Sequence, residues 1–290
     1  MAVMPSTQDP QFDVVFSINP LTPTIGAVIE NIDLGDALAD KEIDALRAAL
    51  LEWKVLFFRD QQITRQQHIA FARRFGDLEI HPATPADQPD PEVLHIIHNE
   101  KSRGQENNWH SDVTWRPEPS LGSILRAVEV PPVGGDTLFC DMYAAYDGLS
   151  EKMKEIVCGL EAEHSFVRVF GKRLAANDPE KVKLLAEKYP TQVHPVVRTH
   201  PETGQRGLYV NSGFVERIVG LSSKESADLL DHLYEQARIP EYQCRFKWEK
   251  NSIAFWDNRA CQHYAASDYF PQRRAMERVT ICGDRPFFTP

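Results

Sequence analysis

The sequence is poor in cysteine, in positive charge and in long apolar stretches. Its five cysteines (Cys140, Cys158, Cys244, Cys261 and Cys282) are odd in number, dispersed and never spaced as CxxC, which fits neither a disulfide framework nor a zinc knuckle. They read as reduced core thiols. No apolar run approaches the roughly 20 residues of a membrane-spanning helix. The opening MAVMPSTQDP lacks a basic segment followed by an apolar one, so no secretory leader is visible and a cytoplasmic location is expected. Lys and Arg total 32 against 42 Asp and Glu, a formal charge of −10, which provides no long-range field to draw in nucleic acid or an anionic membrane. Neither partner is expected. A few buried arginines can still attract a small anion whatever the surface sum.

Internal repeats, low-complexity tracts and linkers are also missing. A length of 290 residues suggests about two domains, but large β sandwiches and barrels often fold as one unit. One domain over residues 1–290 is therefore expected, with residues 1–12 as a loose arm. Ile43, Leu46, Leu50 and Trp53 recur at helical spacing, and Val55 to Phe58 follow as a short apolar strand. Thr64 stands where an N-cap would precede a second helix that stops by Gly76. Strand-like runs recur at Val93 to Ile97, Ser123 to Val130, Thr137 to Cys140, Val193 to Thr199, Gly207 to Val210, Cys244 to Trp248, Ser252 to Trp256 and Glu277 to Cys282. Helical patterns at Ala144 to Tyr189 and Ser222 to Arg238 interrupt them without the regular alternation of a βαβ wind. The predicted class is mainly β with helical insertions, a double-stranded β-helix or jelly roll.

The sharpest local pattern is Trp109-His110-Ser111-Asp112. In an extended segment residues two apart face the same side, so His110 and Asp112 can reach one metal ion. His263, in WDNRACQHYA, offers a third ligand from more than half the chain away. Two imidazoles and a carboxylate form the facial triad of non-haem Fe(II) sites, which leaves three coordination positions open. HxD alone is common by chance in a chain with 10 histidines, and a hydrogen-bonded core histidine is the ordinary alternative for His263. Zinc would also be chemically possible, although the absence of cysteine ligands favours iron.

The stretches NNWHSDVTW, VPPVGGDTLF, HPVVRTHPETG, GLYVN and WDNRACQHYAASDYFPQRRAMERVTICGDRPF resemble the TauD/TfdA family of Fe(II)- and 2-oxoglutarate-dependent dioxygenases, closest to its taurine dioxygenase branch. The resemblance runs from about Ile18 to Phe287. It implies that His110, Asp112 and His263 hold iron, while Thr137 of GGDT and Arg274 of QRRAMER bind 2-oxoglutarate. A guanidinium can grip a carboxylate with two parallel hydrogen bonds, which lysine cannot reproduce. Arg278 lies four residues beyond Arg274, two strand periods on, so one strand can present both cations to the same interior.

In the taurine branch the arginine matching Arg278 and the histidine matching His81 contact the substrate sulfonate; the bland alternative pairs Arg278 with Glu277 or a core acid. Thr84, Glu106 and Val169 stand where that branch has a tyrosine, an asparagine and a serine near the amine of taurine. Phe170 and Tyr209 are candidate apolar walls or ordinary core. The resemblance implies that 2-oxoglutarate and O2 yield succinate and carbon dioxide while a substrate C–H is hydroxylated. The substrate expected is a small organic anion, an alkyl sulfonate or sulfate ester split into sulfite or sulfate plus aldehyde. An aryloxyalkanoate is the alternative within the family, and a non-catalytic anion- or metal-binding β domain the alternative outside it. Residues 82–92 or 99–107 are candidate lids, and a homo-oligomer, dimer or tetramer, is expected.

Overall fold

The run Val55–Phe58 is apolar at every position because the strand it forms is covered on both faces. Leu56 and Phe58 meet helices, whereas Val55 and Phe57 meet a second sheet. The computed structural model describes residues 14–81, 84–85, 87–175 and 179–290, with the backbone alone at residues 170, 172–175, 179 and 181. The expected arm at residues 1–12 lies outside the described residues.

The first part of the chain forms β1 (Ser17–Pro20), β2 (Ala27–Glu30), α1 (Asp40–Trp53), β3 (Val55–Phe58), α2 (Arg65–Arg73), β4 (Val93–His98), β5 (Gly122–Glu129) and β6 (Thr137–Asp141). The middle forms α3 (Met142–Asp147), α4 (Glu151–Val157), β7 (Glu161–His164), α5 (Phe166–Ala175), α6 (Pro179–Lys188), β8 (Gln192–Pro195), β9 (Val197–Thr199), β10 (Arg206–Leu208), β11 (Val215–Ile218) and α7 (Ser223–Gln236). The chain closes with β12 (Gln243–Phe246), β13 (Ile253–Asp257), β14 (Cys261–Ala265) and β15 (Arg274–Ile281). Among the described residues no helix is long and apolar enough to cross a membrane.

Seven strands make the major sheet in the order β1-β2-β3-β13-β5-β15-β4, and β12-β6-β14 make a minor sheet. Phe57, Leu125, Trp256 and Met276 of the first pack against Phe139, Cys244, Phe246 and Cys261 of the second. Phe57 stacks on Phe246 with ring centroids 4.1 Å apart. Helices α1 and α2 cover the opposite face, where Leu46, Leu50, Ile69 and Phe71 meet Phe58, Phe255, Val279 and Ile281. This is the jelly roll with helical insertions that the strand pattern predicts. A third cluster, under α3, α4 and α7, holds the small sheet β11-β7-β8 and the hairpin β9-β10.

Strand β15 positions the site. Its alternation sends Glu277, Val279 and Ile281 to the helices, where Glu277 accepts from Arg65 of α2 at 2.7 Å. Arg274, Met276 and Arg278 therefore point the other way, toward the minor sheet.

Thr64 caps α2 as expected, its hydroxyl accepting from the Gln67 amide at 3.2 Å. Thr64→Ala should cost about 1 kcal/mol, read as a lower urea midpoint with an unchanged m-value. Two expectations need correction. The stretch Ala144 to Tyr189 is not all helical: β7 interrupts it, with only Ala162 and His164 buried, a period-two signal too short to stand out beside helices. Val193 to Thr199 is two strands, because the chain breaks at Val196 and pairs with different partners on either side.

Candidate active site

His110 and His263 meet through their backbones, each amide donating to the other's carbonyl, at 3.1 and 2.8 Å. The bridge docks the HxD segment on β14 and brings the two imidazole centroids to 4.2 Å. The segment does not remain extended as expected. It turns at once, with Val113 at a φ of 48°, a left-handed conformation that a β-branched residue adopts only where its surroundings impose it. Asn258 is one such constraint, since its Oδ1 accepts from the Asp112 amide at 3.1 Å and from the Trp256 indole at 3.0 Å. The result brings one ligand atom from each of His110, Asp112 and His263 within 4.8 Å of the others, all three residues being buried.

The donor set is ready for a metal. His110 Nδ1 lies 2.8 Å from the Asn108 carbonyl, so Nδ1 carries the proton and Nε2 keeps its lone pair. Burial, reinforced by repulsion from His110, lowers the His263 pKa to about 3 and keeps that ring neutral. Burial works against ionising Asp112, but Arg278 foremost outweighs it and holds the carboxyl well below the ordinary carboxylate range. Arg278 Nη1 donates to Asp112 Oδ1 at 2.7 Å and Ser123 Oγ to Oδ2 at 2.9 Å. Two imidazoles and one oriented carboxylate, without thiolates, suit Fe(II).

Arg274 shows a second vacancy in hydrogen bonding. It is only 5% exposed, yet its Nε and Nη2 have no hydrogen-bond partner among the described residues. A buried guanidinium in that condition calls for an anion. Trp248 lies beneath it, with the ring 5.9 Å from the guanidinium carbon, and donates its indole N–H to Thr137 Oγ1 at 2.9 Å. The Thr137 hydroxyl thus accepts from Trp248 and retains its own proton to donate. Arg274 and Thr137 therefore fit a carboxylate of 2-oxoglutarate.

Arg278, a part-buried cation, is paired with the triad's Asp112, and its Nε has no hydrogen-bond partner among the described residues. Its pairing with a core acid is real, but the acid is the candidate metal ligand Asp112. Burial and then the charge of Arg278 lower the pKa of His81 to about 4, so this ring is neutral and within electrostatic reach of the same guanidinium. Thr84 follows in a turn, its amide donating to the His81 carbonyl at 2.8 Å; residues 82, 83 and 86 of this candidate lid lie outside the described residues. Val169, on α5, lines an open cleft of 820 Å³ together with Val167, Val182, Asn108 and Gly213. Gly213 stands between this cleft and His110, where an added Cβ would come 3.3 Å from the His110 Cβ; the triad residues themselves do not line the cleft.

The structure also bears on Glu106 and Tyr209 at the substrate end. Glu106 pairs with His98, 3.3 Å away, and its charge acts on Arg274, so it belongs to the cosubstrate end rather than to the amine end. Tyr209 is core: its ring is buried against His164 and His194, with the Arg198 guanidinium 5.1 Å above it. The Phe170 side chain lies outside the described residues. Ser123, Asn108, Asn258 and Trp248 were not singled out from the sequence, and only Asn108, adjoining the WHSD motif, carried a local signal.

The profile of the taurine catabolism dioxygenase TauD, TfdA family matches residues 17–280. The alpha-ketoglutarate-dependent sulfate ester dioxygenase of Pseudomonas putida is 36% identical over 275 residues, 93% of this chain and 90% of that protein. The (S)-phenoxypropionate/alpha-ketoglutarate-dioxygenase of Sphingobium herbicidovorans is 37% identical over 276 residues, 93% of this chain and 96% of the other. The crystal structure of a taurine dioxygenase from Burkholderia xenovorans aligns with a TM-score of 0.81 at 39% identity, over 93% of this chain and 90% of that one. With a His-Asp-His triad and a buried, anion-seeking arginine on the same jelly roll, these likenesses make the chain a member of the TauD/TfdA family of Fe(II)- and 2-oxoglutarate-dependent dioxygenases.

Proposed function

We propose that this dioxygenase hydroxylates the carbon bearing the head group of an alkyl sulfonate or alkyl sulfate ester with an apolar tail. The observation that carries the reading is Arg278, a part-buried cation bonded to the triad's Asp112 and within electrostatic reach of His81. His110, Asp112 and His263 hold the iron, and Arg274 with Thr137 holds the far carboxylate of 2-oxoglutarate. Iron, 2-oxoglutarate and dioxygen supply the oxidation of the C–H bond, with succinate and carbon dioxide as by-products.

Arg278 and the neutral His81 ring bind the anionic head and hold the adjacent carbon toward the triad. Once that carbon bears a hydroxyl, loss of the hydroxyl proton and cleavage of the carbon–heteroatom bond release sulfite or sulfate and leave an aldehyde. The tail runs into the cleft of 820 Å³ lined by Val167, Val169 and Val182, which offers far more room than a two-carbon amine needs. Thr84 and Val169 supply neither a phenol nor, at Val169, a hydroxyl for an ammonium.

Each buried methylene contributes about 0.8 kcal/mol, so kcat/KM should rise about fourfold per added carbon until the cleft is filled. Straight-chain sulfonates and sulfates should therefore be turned over better than taurine, as judged by sulfite, sulfate and aldehyde release. Taurine as the best substrate by a wide margin would reject this reading. An aryloxyalkanoate is the second reading, favoured by the same cleft, which can take an aromatic ring, and by a guanidinium that holds a carboxylate equally well. Phenol release from that arm of the panel would select it. Five free thiols support a cytoplasmic location, which cell fractionation checks. The oligomeric state, with a dimer or tetramer expected, is read by light scattering.

A further inference from the structure

His98 of β4 and Arg274 of β15 are direct cross-strand partners, so both side chains leave the sheet on its inner face. Residues 99–107 return across this point as a strap. Ser267 Oγ donates to the Gly104 carbonyl at 2.6 Å, and the Ala265 amide donates to the Glu106 carbonyl at 3.3 Å. Gly104 permits the close passage, since a Cβ there would stand 2.8 Å from Tyr269 Oη and 3.4 Å from Glu106 Oε2. Tyr269 in turn stacks near Arg274, its ring 5.8 Å from the guanidinium carbon. The strap thus carries the Glu106 carboxylate to the rim of the Arg274 pocket. His98 Nε2 at 3.3 Å and the Gln105 amide at 2.9 Å fix it there. Glu106 makes no hydrogen bond with Arg274, whose Nε and Nη2 stay without a partner among the described residues.

We propose that Glu106, positioned by His98, is a specificity-determining residue for the cosubstrate: a fixed negative charge at the rim of the Arg274 pocket that opposes dicarboxylates and so sets the affinity for 2-oxoglutarate. The inference rests on the assignment of Arg274 to 2-oxoglutarate. The same repulsion acts on succinate, a dicarboxylate that must leave after each turnover, so a moderated grip favours exchange. Because the Glu106 side chain is 48% exposed, its effect is partly screened by solvent and falls with added salt.

The test is calorimetric titration of 2-oxoglutarate into the Co(II)-loaded protein. Glu106→Gln should bind 2-oxoglutarate about three- to tenfold more tightly at low ionic strength. That gain should shrink toward unity at about 1 M salt, where the Debye length is about 3 Å, with Co(II) affinity unchanged. Glu106→Asp keeps the charge and should keep the wild-type affinity and salt response. Equal or weaker binding by Glu106→Gln, or a gain that salt does not diminish, overturns the proposal. Arg274→Lys is titrated in parallel: weak binding there beside an unaltered Glu106→Gln removes this inference alone, whereas wild-type binding by Arg274→Lys removes the pocket assignment and the inference with it.

Discussion

Asp112→Asn should eliminate turnover, by at least about a thousandfold, and weaken Co(II) or Mn(II) binding strongly. The asparagine keeps the shape and loses the charge, so one of three metal donors falls from an anion to a neutral carbonyl. Asp112→Ala is the harsher variant. It also removes the partner of Arg278 Nη1 and of Ser123 Oγ, leaving a buried guanidinium uncompensated. Breaking such a pair typically costs about 3–5 kcal/mol, so the alanine variant should melt well below the asparagine variant while both are inactive. Near wild-type coupling of 2-oxoglutarate decay to product formation in either variant would sink the triad assignment.

Arg274→Lys should loosen 2-oxoglutarate about ten- to a hundredfold and leave metal affinity nearly unchanged. Charge is retained, but the two partnerless nitrogens, Nε and Nη2, are replaced by one ammonium on a stem that cannot present a planar fork. The surroundings sharpen the effect. Trp248 and Tyr269 flank the guanidinium as flat walls, and Gly135 leaves room for its stem, with an added Cβ only 3.3 Å from Arg274 Cδ. Unchanged 2-oxoglutarate affinity in Arg274→Lys would move the carboxylate grip elsewhere, to Arg273 or Arg285.

Residues whose roles follow from local spacing were legible in the sequence. Leu46, Leu50 and the apolar run Val55–Phe58 announce a helix and a doubly covered strand, and Arg274 with Arg278 at a four-residue interval announces one inward face. His263 could be offered as a third ligand from the sequence, but only the resemblance set it apart from an ordinary core histidine. Glu106 was misplaced for a different reason. Its neighbourhood is decided by the pairing of β4 with β15 and by the strap that Gly104 lets lie against Tyr269, neither of which has a short-range signature. Tyr209 stayed open between pocket wall and core because an aromatic residue in a strand-like run packs equally well on a ligand or on buried histidines.

The two faces of β15 also bear on how such an enzyme can change. Glu277, Val279 and Ile281 face the helices, Glu277 also pairing with Arg126 and His95 of the neighbouring strands, whereas Arg274 and Arg278 face the pocket, where Arg278 is tied to Asp112. Mutations at the inward positions therefore act first on what the pocket can hold, with Arg278 bound as well to the candidate metal ligand Asp112, and those at the outward positions act first on the seam between sheet and helix. A single-residue insertion in β15 would do the reverse, exchanging every inward side chain for an outward one and destroying fold and site together. Substrate range in this architecture is free to drift by substitution, and length within the strand is not.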